Sequence, residues 1–249
     1  MKLEYVSRET LRGLYLVLMQ ELNEVGVSLS EEQLQLINLH LDYVLEANSS
    51  IRLTAIHDKD EALRLHVLDS LLALPEVLAS PEGIMLDIGT GGGYPGYPLA
   101  IATGRPVDLL DSVKKKVNVI QAFVDKTHLG KPEVATLGER AEELALVRPG
   151  HYSTVLARAV SSLPALVELA SPLLRDGGHL IAYKGAHDDV ELERGIIVAE
   201  LAGMRFLAMR EYLLPDGGEK RTIYVLKRYA DPSVNLPRRP GRAQRKPLA

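Results

Sequence analysis

The chain has 249 residues, of which 46% are hydrophobic and 25% are charged, the composition of an ordinary globular protein. It contains no cysteine, which excludes disulfide bonds, thiolate metal ligands and cysteine nucleophiles, and its net charge of −4 provides no overall basic field for nucleic acid. No apolar run approaches the roughly eighteen residues of a membrane span. The start of the chain shows no secretory signal, so we expect a cytoplasmic protein without a membrane partner.

The first eighty residues are predicted to be helical, because their apolar residues recur with a helical period. The predicted helices cover residues 8–25, 30–47 and 59–79. Ser30 is a suitable N-cap for the second of them. No linker rich in proline, glycine or serine follows, so residues 1–80 are expected to form a helical extension packed on the core.

Beyond this extension, short apolar strands alternate with helices, which is typical of a parallel sheet covered on both faces. Strands are predicted at residues 84–88, 107–111, 133–137, 153–157 and 179–183, and helices near residues 96–103, 113–128, 140–146 and 162–174. Residues 204–214 and 221–228 are predicted to close the sheet as an antiparallel hairpin around Gly217 and Gly218. This is the layout of class I methyltransferases: a Rossmann-like α/β core, residues 81–230, with a mostly parallel, seven-stranded sheet.

The loop after the first strand, DIGTGGGYPGYP (residues 87–98), combines five glycines with two prolines. It lies at the carboxyl end of a strand, where an open α/β sheet binds its ligand. Glycines allow close approach of the backbone and positive φ angles, whereas proline is tolerated only in the first turn of a helix. Pro95 and Pro98 therefore predict that the next helix begins near residues 95–97.

Two cofactors that contain a nucleoside, a nicotinamide dinucleotide and S-adenosylmethionine, are candidates for this loop, and a G-x-G-x-x-G match would indicate the dinucleotide. Gly91, Gly93 and Gly96 match G-x-G-x-x-G, but the match begins late after the strand, and the prolines disturb the helix start that would receive a pyrophosphate. Asp87 followed by alternating glycines from Gly89 onward is typical of S-adenosylmethionine (SAM) sites, and we prefer this frame. A Walker phosphate loop is excluded because no Gly-Lys-Ser/Thr follows, and a simple tight turn rarely needs five glycines.

The second strand ends in Asp111, which lies 22 residues beyond Gly89. An acid at this place can accept both hydroxyls of an adenosine ribose, a group that NAD and SAM share. Asp111 therefore indicates a nucleoside without choosing between the two cofactors. The alternative role is that of a helix N-cap, which Ser112 could fill instead.

The C-terminal segment LPRRPGRAQRKPLA (residues 236–249) carries five basic residues and no acid. Its composition favours a solvated, disordered tail. The second interpretation is an arm that binds phosphate groups. Residues 231–249 are therefore a basic C-terminal tail with two open interpretations.

Several segments together resemble one family. They are RLTAI (52–56), HVLDSL (66–71), LDIGTGGGYPGYPLAI (86–101), LLDSVKKK (109–116), GERAEEL (138–144), ARAVSSL (157–163), PLLRDGGHLIAYKG (172–185) and the tail PRRPG…PL. In this order they resemble the glucose-inhibited division protein B family, the bacterial small-subunit ribosomal RNA guanine-N7 methyltransferases. The resemblance implies a class I methyltransferase fold, SAM as cofactor, and 16S ribosomal RNA or the small ribosomal subunit as partner. We expect a monomer, and the sequence contains no metal-binding motif.

The resemblance also implies roles for individual residues. Tyr94 should line the SAM pocket, Glu142 should flank the adenine, and Arg158 should lie where cofactor and RNA meet. From the residues alone, a solvated helix face would be preferred for Glu142, whereas an arginine at the end of a strand is rarely a core residue. The predicted cofactor-binding residues are Asp87, Gly89, Gly91, Tyr94, Asp111, Ala141, Glu142 and Arg158.

Guanine N7 has a free lone pair and no proton, so the transfer needs no general base and no triad or metal motif. Catalysis would come from positioning, by Arg158 above all, and from electrostatics. Because N7 faces the narrow major groove of A-form RNA, the target guanine should be unpaired. The predicted RNA-binding residues are His66, Lys184, Arg221, Arg238 and Arg239. The alternative for His66 is a histidine that is satisfied within its helix.

The chain departs from the family pattern at a few positions. Arg52 stands where Asn is usual, Leu65 where a basic residue is usual, and Thr222 where His is usual; the loop also has Gly92 and Tyr94. These departures concern individual RNA contacts more than the cofactor site. Two other classes of function remain open: a nicotinamide-dependent oxidoreductase on a related fold, and a non-catalytic RNA-binding or ribosome-assembly module.

Overall fold

The computed structural model describes residues 28–127, 132–214 and 218–249, so the helix predicted at 8–25 lies outside the described residues. Helix α1 (Glu31–Asn48) begins at Ser30 with a capping box, in which Ser30 and Gln33 each accept the other's backbone N–H. It buries one apolar face, including Ile37 and Leu41. Within the part of the chain that is described, no helix is both long enough and apolar enough to cross a membrane.

The helix predicted over residues 59–79 is interrupted. It consists of α2 (Lys59–Ala62), a π-helical segment (Leu63–Leu68), α3 (Asp69–Leu71) and α4 (Leu74–Leu78). Pro75 lies in the first turn of α4, because a proline without an N–H cannot continue a preceding helix. Wide π-helical turns occur frequently at functional sites. Here the turn carries His66 and is followed at once by Asp69.

Seven strands form one sheet in the order β3-β2-β1-β4-β5-β7-β6. They are β1 (Met85–Ile88), β2 (Val107–Leu110), β3 (Val134–Leu137), β4 (Tyr152–Arg158), β5 (Leu174–Lys184), β6 (Met204–Leu213) and β7 (Lys220–Arg228). Strands β1 to β5 pair in parallel, and β7 is antiparallel to both of its neighbours. The predicted mostly parallel, seven-stranded sheet with its C-terminal antiparallel hairpin is confirmed. Of the predicted turn residues, Gly218 is described and Gly217 is not.

The helices around the sheet are α5 (Gly96–Thr103), α6 (Lys114–Thr127), α7 (Ala141–Val147), α8 (Leu163–Ala170), α9 (Asp189–Leu201) and α10 (Arg242–Arg245). The first four match the predicted helices, and α5 begins where the two prolines place it. A 3₁₀ turn (Ser171–Leu173) continues α8. The sequence did not predict α9, although Asp188 is its N-cap and accepts the Glu191 N–H.

Two apolar layers cover the two faces of the sheet. Successive residues of β1 point to opposite layers, with Met85 in one and Leu86 in the other. Ile37 of α1 lies in the same layer as Met85 and Leu109. The described part of the extension, residues 28–80, therefore shares its core with the sheet.

Candidate active site

Asp87 lies fully buried at the end of β1 and organises the glycine loop. Its Oδ2 accepts the Thr90 hydroxyl at 2.6 Å and the Gly96 N–H at 2.8 Å, which ties the loop to the start of α5. Its Oδ1 has no hydrogen-bond partner among the residues that are described. Burial raises the pKa of Asp87 to about 7, against the opposing effect of the two hydrogen bonds. The carboxylate therefore holds the loop through Oδ2, and its Oδ1 is available to accept a further hydrogen bond.

Three glycines of the loop, Gly89, Gly93 and Gly96, cannot be replaced without movement of their surroundings; at Gly93 a Cβ would lie 2.8 Å from Nε2 of His40. Gly89 has a φ of +71°, and a Cβ there would lie 2.6 Å from Cγ2 of Val160, in the segment after β4. At Gly96 a Cβ would lie 2.6 Å from Cδ2 of Leu109, so α5 packs closely on the sheet. The segment after β4 is itself strained, since Ala159 adopts a φ of 57°.

Asp111 supports the loop from the end of β2. Its Oδ2 accepts the Gly91 N–H at 3.1 Å and its Oδ1 accepts the Val113 N–H at 2.8 Å, directly before α6. The contact with the Val113 N–H agrees with the alternative role of Asp111 as a residue that caps the start of a helix. Each carboxylate oxygen retains acceptor capacity, so the role in binding a ribose stays a prediction.

Arg158 and Asp69 form the centre of a buried polar network. Arg158 Nη1 lies 3.1 Å from Asp69 Oδ2 and donates to the Leu65 carbonyl at 3.0 Å. Asp69 Oδ1 accepts the Tyr212 hydroxyl at 3.1 Å and lies 3.3 Å from Arg221 Nε. Asp69 thus joins the carboxyl ends of β4 and β6 to the start of β7. The sequence prediction missed it, although an acid within the apolar stretch HVLDSL was a signal of a paired, buried carboxylate.

His66 and Tyr94 stack against each other beside this network, with their ring centroids 4.8 Å apart and an interplanar angle of 15°. His66 Nε2 lies 2.8 Å from the Thr54 hydroxyl. Burial, together with the nearby charge of Arg158, lowers the pKa of His66 to about 4, so the ring is neutral at physiological pH. His66 is therefore both engaged by Thr54 within the protein and stacked on Tyr94 of the glycine loop.

A second histidine, His40 of α1, supports the loop from below. Its ring is completely buried, 4.8 Å from the Tyr94 centroid and 4.3 Å from that of Tyr97. Burial lowers the pKa of His40 to about 3. The extension therefore reaches the glycine loop through a neutral aromatic contact, which no sequence motif indicated.

A cavity of about 380 Å³ opens at the carboxyl edge of the sheet. Four of the predicted site residues line it: His66, Arg158, Lys184 and Arg221. Lys184 lies 2.7 Å from Glu191 Oε1 and donates to the Ser161 carbonyl at 3.0 Å, so its charge already has a partner. Among the departures from the family pattern, Leu65 lines the cavity and Arg52 is exposed. Thr222 is fully buried in β7.

Glu142 connects the site to the C-terminal tail. It is only 4% exposed, and its Oε1 accepts the Gly241 N–H at 2.6 Å. The interpretation of Glu142 as part of a solvated helix face is therefore wrong. Ala141, beside it at the start of α7, is also buried. Whether these two residues flank an adenine stays a prediction.

The C-terminal tail is docked on the body of the protein, so its interpretation as a disordered segment is wrong. Arg238 Nε donates to Glu168 Oε2 at 2.6 Å, and the Leu248 N–H donates to Glu168 Oε1 at 2.7 Å. The Glu168 side chain is 1% exposed. We therefore revise the role of Arg238 from RNA contact to anchor of the tail, because its charge is committed to a buried acid. Arg239 is exposed.

The described residues include no group of three or more histidines and acids arranged to hold a metal ion. The strand order, the glycine loop after β1, the acid after β2 and the cavity at the carboxyl edge together define a class I methyltransferase. A solved SAM-dependent methyltransferase from Leishmania major has the same fold, with a TM-score of 0.55 and 16% identity over 76% of this chain and 83% of that chain.

Sequence comparison identifies the family. The model of the GidB family, rRNA small subunit methyltransferase G, matches residues 33–215. A ribosomal RNA small subunit methyltransferase G from Carboxydothermus hydrogenoformans is 34% identical over 90% of this chain and 96% of the relative. Another, from Deinococcus radiodurans, is 35% identical over 91% of this chain and 89% of the relative. The chain belongs to this family.

Membership in this family confirms the predicted family, the class I fold and SAM as the cofactor of the enzyme. It also decides against a nicotinamide-dependent oxidoreductase, which shared the glycine-loop and Asp111 signals. The family match does not assign roles to individual side chains.

Proposed function

We propose that this enzyme transfers the methyl group of SAM to N7 of an unpaired guanine in 16S ribosomal RNA. The observation that carries this proposal is the cavity at the carboxyl edge of the sheet. There, neutral His66 lies next to the cations Arg158 and Arg221, and its ring stacks on the buried Tyr94 of the glycine loop. A site with fixed cations and a histidine ring already engaged by Thr54 suits a nucleotide whose reacting atom carries no proton.

The residues around the glycine loop fit SAM. Asp87 Oδ1 is a buried acceptor without a partner in the described chain, as a ligand ammonium group would require. Asp111 retains acceptor capacity at the end of β2, and Gly91 lies open above it, since a Cβ there would have only the Leu53 carbonyl oxygen within 4 Å. When bound, SAM supplies a methyl group on a positively charged sulfur, which a neutral nitrogen can attack directly.

The side chains at the cavity position groups and stabilise charge rather than move protons. The low pKa of His66 and its contact with Thr54 keep its ring neutral, so it adds no repulsion as the purine becomes positively charged. Burial raises the pKa of the Tyr94 hydroxyl far above neutrality. Its ring lies beneath the Arg158 guanidinium, 5.9 Å from centroid to carbon. We therefore assign the rate enhancement to orientation of the guanine N7 and to electrostatics.

Arg158 is the residue that we assign to positioning of the target nucleotide. All of its hydrogen bonds to described residues use Nη1, which leaves Nε and Nη2 as donors at the cavity. A guanidinium held on one side and open on the other suits bidentate contact with a phosphate, which leaves the N7 lone pair of the guanine free to attack the methyl group. Arg221, whose Nε contacts Asp69, is its neighbour.

The substrate we propose is a structured RNA or ribonucleoprotein particle, engaged by a monomeric enzyme. An unpaired guanine can leave the helix stack and enter the cavity, whereas N7 of a paired guanine stays in a groove too narrow for side chains. The acidic net charge of −4 limits non-specific attraction to RNA, so recognition must come from local basic groups.

The test is methyl incorporation from labelled SAM into RNA that lacks the modification. Naked 16S RNA and small ribosomal subunits, both from a strain without the gene, are incubated with the enzyme, and the modified base is mapped by strand scission at N7-methylguanine. We expect one guanine to be modified. Arg158→Ala should lose most of the activity, while Arg205→Gln, at the opposite edge of the sheet, should retain it. Incorporation at another atom, or none into either RNA form, would overturn the proposal.

A further inference from the structure

The carboxyl edge of the sheet carries a band of exposed basic side chains outside the cavity. We call this band the basic rim; it consists of Lys114, Lys115, Arg140, Arg239, Arg242 and Arg245. The two lysines begin α6, Arg140 is the N-cap of α7, and the three remaining arginines belong to the docked tail. Three separate parts of the sequence thus contribute to one edge.

These parts are in contact with one another. A Cβ at Gly138 would lie 3.3 Å from Lys114 Cγ, so the start of α6 touches the segment that leads to Arg140. Two residues after Arg140, Glu142 accepts the Gly241 N–H of the tail. Arg245 folds back within the tail, where its Nε donates to the Gly241 carbonyl at 3.0 Å. The band is therefore continuous from α6 across α7 to α10.

The charges of the rim are not neutralised within the described chain. None of its six side chains forms an ion pair with a described residue. Two neighbouring acids are used elsewhere, since Glu142 holds Gly241 and Glu143 Oε2 accepts the Arg140 N–H at 3.0 Å. The contrast with Arg158, Arg221 and Arg238 is clear, because each of these contacts a buried acid.

We propose that the basic rim binds the phosphate backbone of the RNA substrate and holds it along the edge that contains the glycine loop and the cavity. This inference rests on the proposed function, and it adds the path of the RNA chain outside the cavity. The tail is docked through Glu168 and Glu142, so its arginines are presented in place rather than ordered on binding, which lowers the entropic cost of each contact. The protein has a net negative charge, so its unpaired cations at this edge attract a polyanion there and not over the whole surface.

The salt dependence of RNA binding tests the rim directly. Binding of 16S RNA from a strain lacking the gene is measured at several salt concentrations for wild type, Lys114→Gln/Lys115→Gln and Arg242→Gln/Arg245→Gln. Each phosphate contact on single-stranded RNA adds about 0.7 to the slope of log K against log salt. We expect each double variant to lower the slope by about one or more and to bind RNA more weakly, with SAM affinity unchanged by calorimetry.

Arg205→Gln is the matched control. Arg205 is exposed, its guanidinium lies over the Tyr229 ring, and it sits at the amino edge of the sheet. Its removal should leave the slope at the wild-type value. If wild type methylates the RNA while the rim variants keep its slope, or if Arg205→Gln lowers the slope equally, the rim proposal is wrong and the proposed function stands. A wild-type enzyme that neither binds nor methylates the RNA overturns both.

Discussion

Glu168 holds Arg238 across 70 residues of sequence, with Glu168 Oε2 at 2.6 Å from Arg238 Nε and 2.5 Å from Nη2. The second carboxylate oxygen accepts the Leu248 N–H, so one buried acid fixes both ends of the last segment of the chain. Glu168 lies in an otherwise apolar helix, where an unpaired charge would be strongly unfavourable. The pair thus ties the tail to the core, alongside Glu142, which holds Gly241.

Removal of Arg238 should be costly, because it leaves a buried carboxylate without its counter-charge. We expect Arg238→Ala to lower the free energy of unfolding by about 3 kcal/mol and to release the tail to proteolysis. The adjacent Arg239→Ala removes an exposed cation without an ion pair to any described residue, and should change stability by less than about 0.5 kcal/mol. Urea unfolding and limited proteolysis measure both effects. Equal stabilities of the two variants would contradict the anchoring role.

Gly89 offers a test of contact between the glycine loop and the segment after β4. We expect Gly89→Ala to weaken SAM binding at least tenfold, because its Cβ displaces Val160 from a distance of 2.6 Å. Gly104 is the matched control, since it has the same φ of +71° and no atom within 4 Å of a Cβ. Both variants bear the backbone cost of about 1 kcal/mol, but only Gly89→Ala should affect SAM affinity.

A second substitution separates steric contact from other causes at Gly89. Val160→Ala removes the methyl groups that the new Cβ would meet, and leaves its own Cβ at 3.6 Å. The double variant Gly89→Ala/Val160→Ala should therefore recover much of the lost SAM affinity in calorimetry. Failure to recover any affinity would mean that the loop backbone, and not Val160, limits the site.

The sequence was most informative where the signal was local. Pro95 and Pro98 predicted the start of α5 because proline cannot occupy a helix interior, and alternating strands and helices predicted the sheet. Asp69 was missed because its partner Arg158 lies 89 residues away, and sequence spacing carries no information on such a contact.

The docked tail was missed for a related reason. The composition of the tail predicts how the tail would behave on its own. It carries no information on Glu168 of α8, the acid that holds the tail in place. An acid inside the apolar stretch LPALVELASP was a usable signal, because such a residue must find a partner if it faces the core. The π-helical segment at Leu63–Leu68 had no recognisable signal, since it depends on how its flanking helices pack.

Asp87 predicts a specific dependence of stability on pH. Its folded-state pKa of about 7 lies above its unfolded value of 3.8, so the folded protein binds more protons and this residue lowers stability as pH rises from about 4 to 7. Asp87→Asn removes this fall. The difference in free energy of unfolding between variant and wild type should shift in favour of the variant by up to about 1.4 kcal/mol per pH unit.

The measurement is chemical denaturation at several pH values in that window, with the exposed Asp60→Asn as the control. The control should run parallel to wild type throughout. Parallel profiles for Asp87→Asn as well would show that the carboxyl group titrates as an ordinary surface acid and is not buried beneath the loop.

Arg158 and Asp69 should behave as one unit in catalysis. Asp69 acts as a positioning residue, because it contacts Arg158, Arg221 and Tyr212. We expect Arg158→Ala to reduce kcat by about a hundredfold, which is a loss of about 2.7 kcal/mol, and Asp69→Asn to reduce kcat by a smaller factor with little change in the KM for SAM. The double variant should be little slower than Arg158→Ala alone, because Asp69 then has only Arg221 left to orient. Rates that multiply instead would show that the two residues act independently.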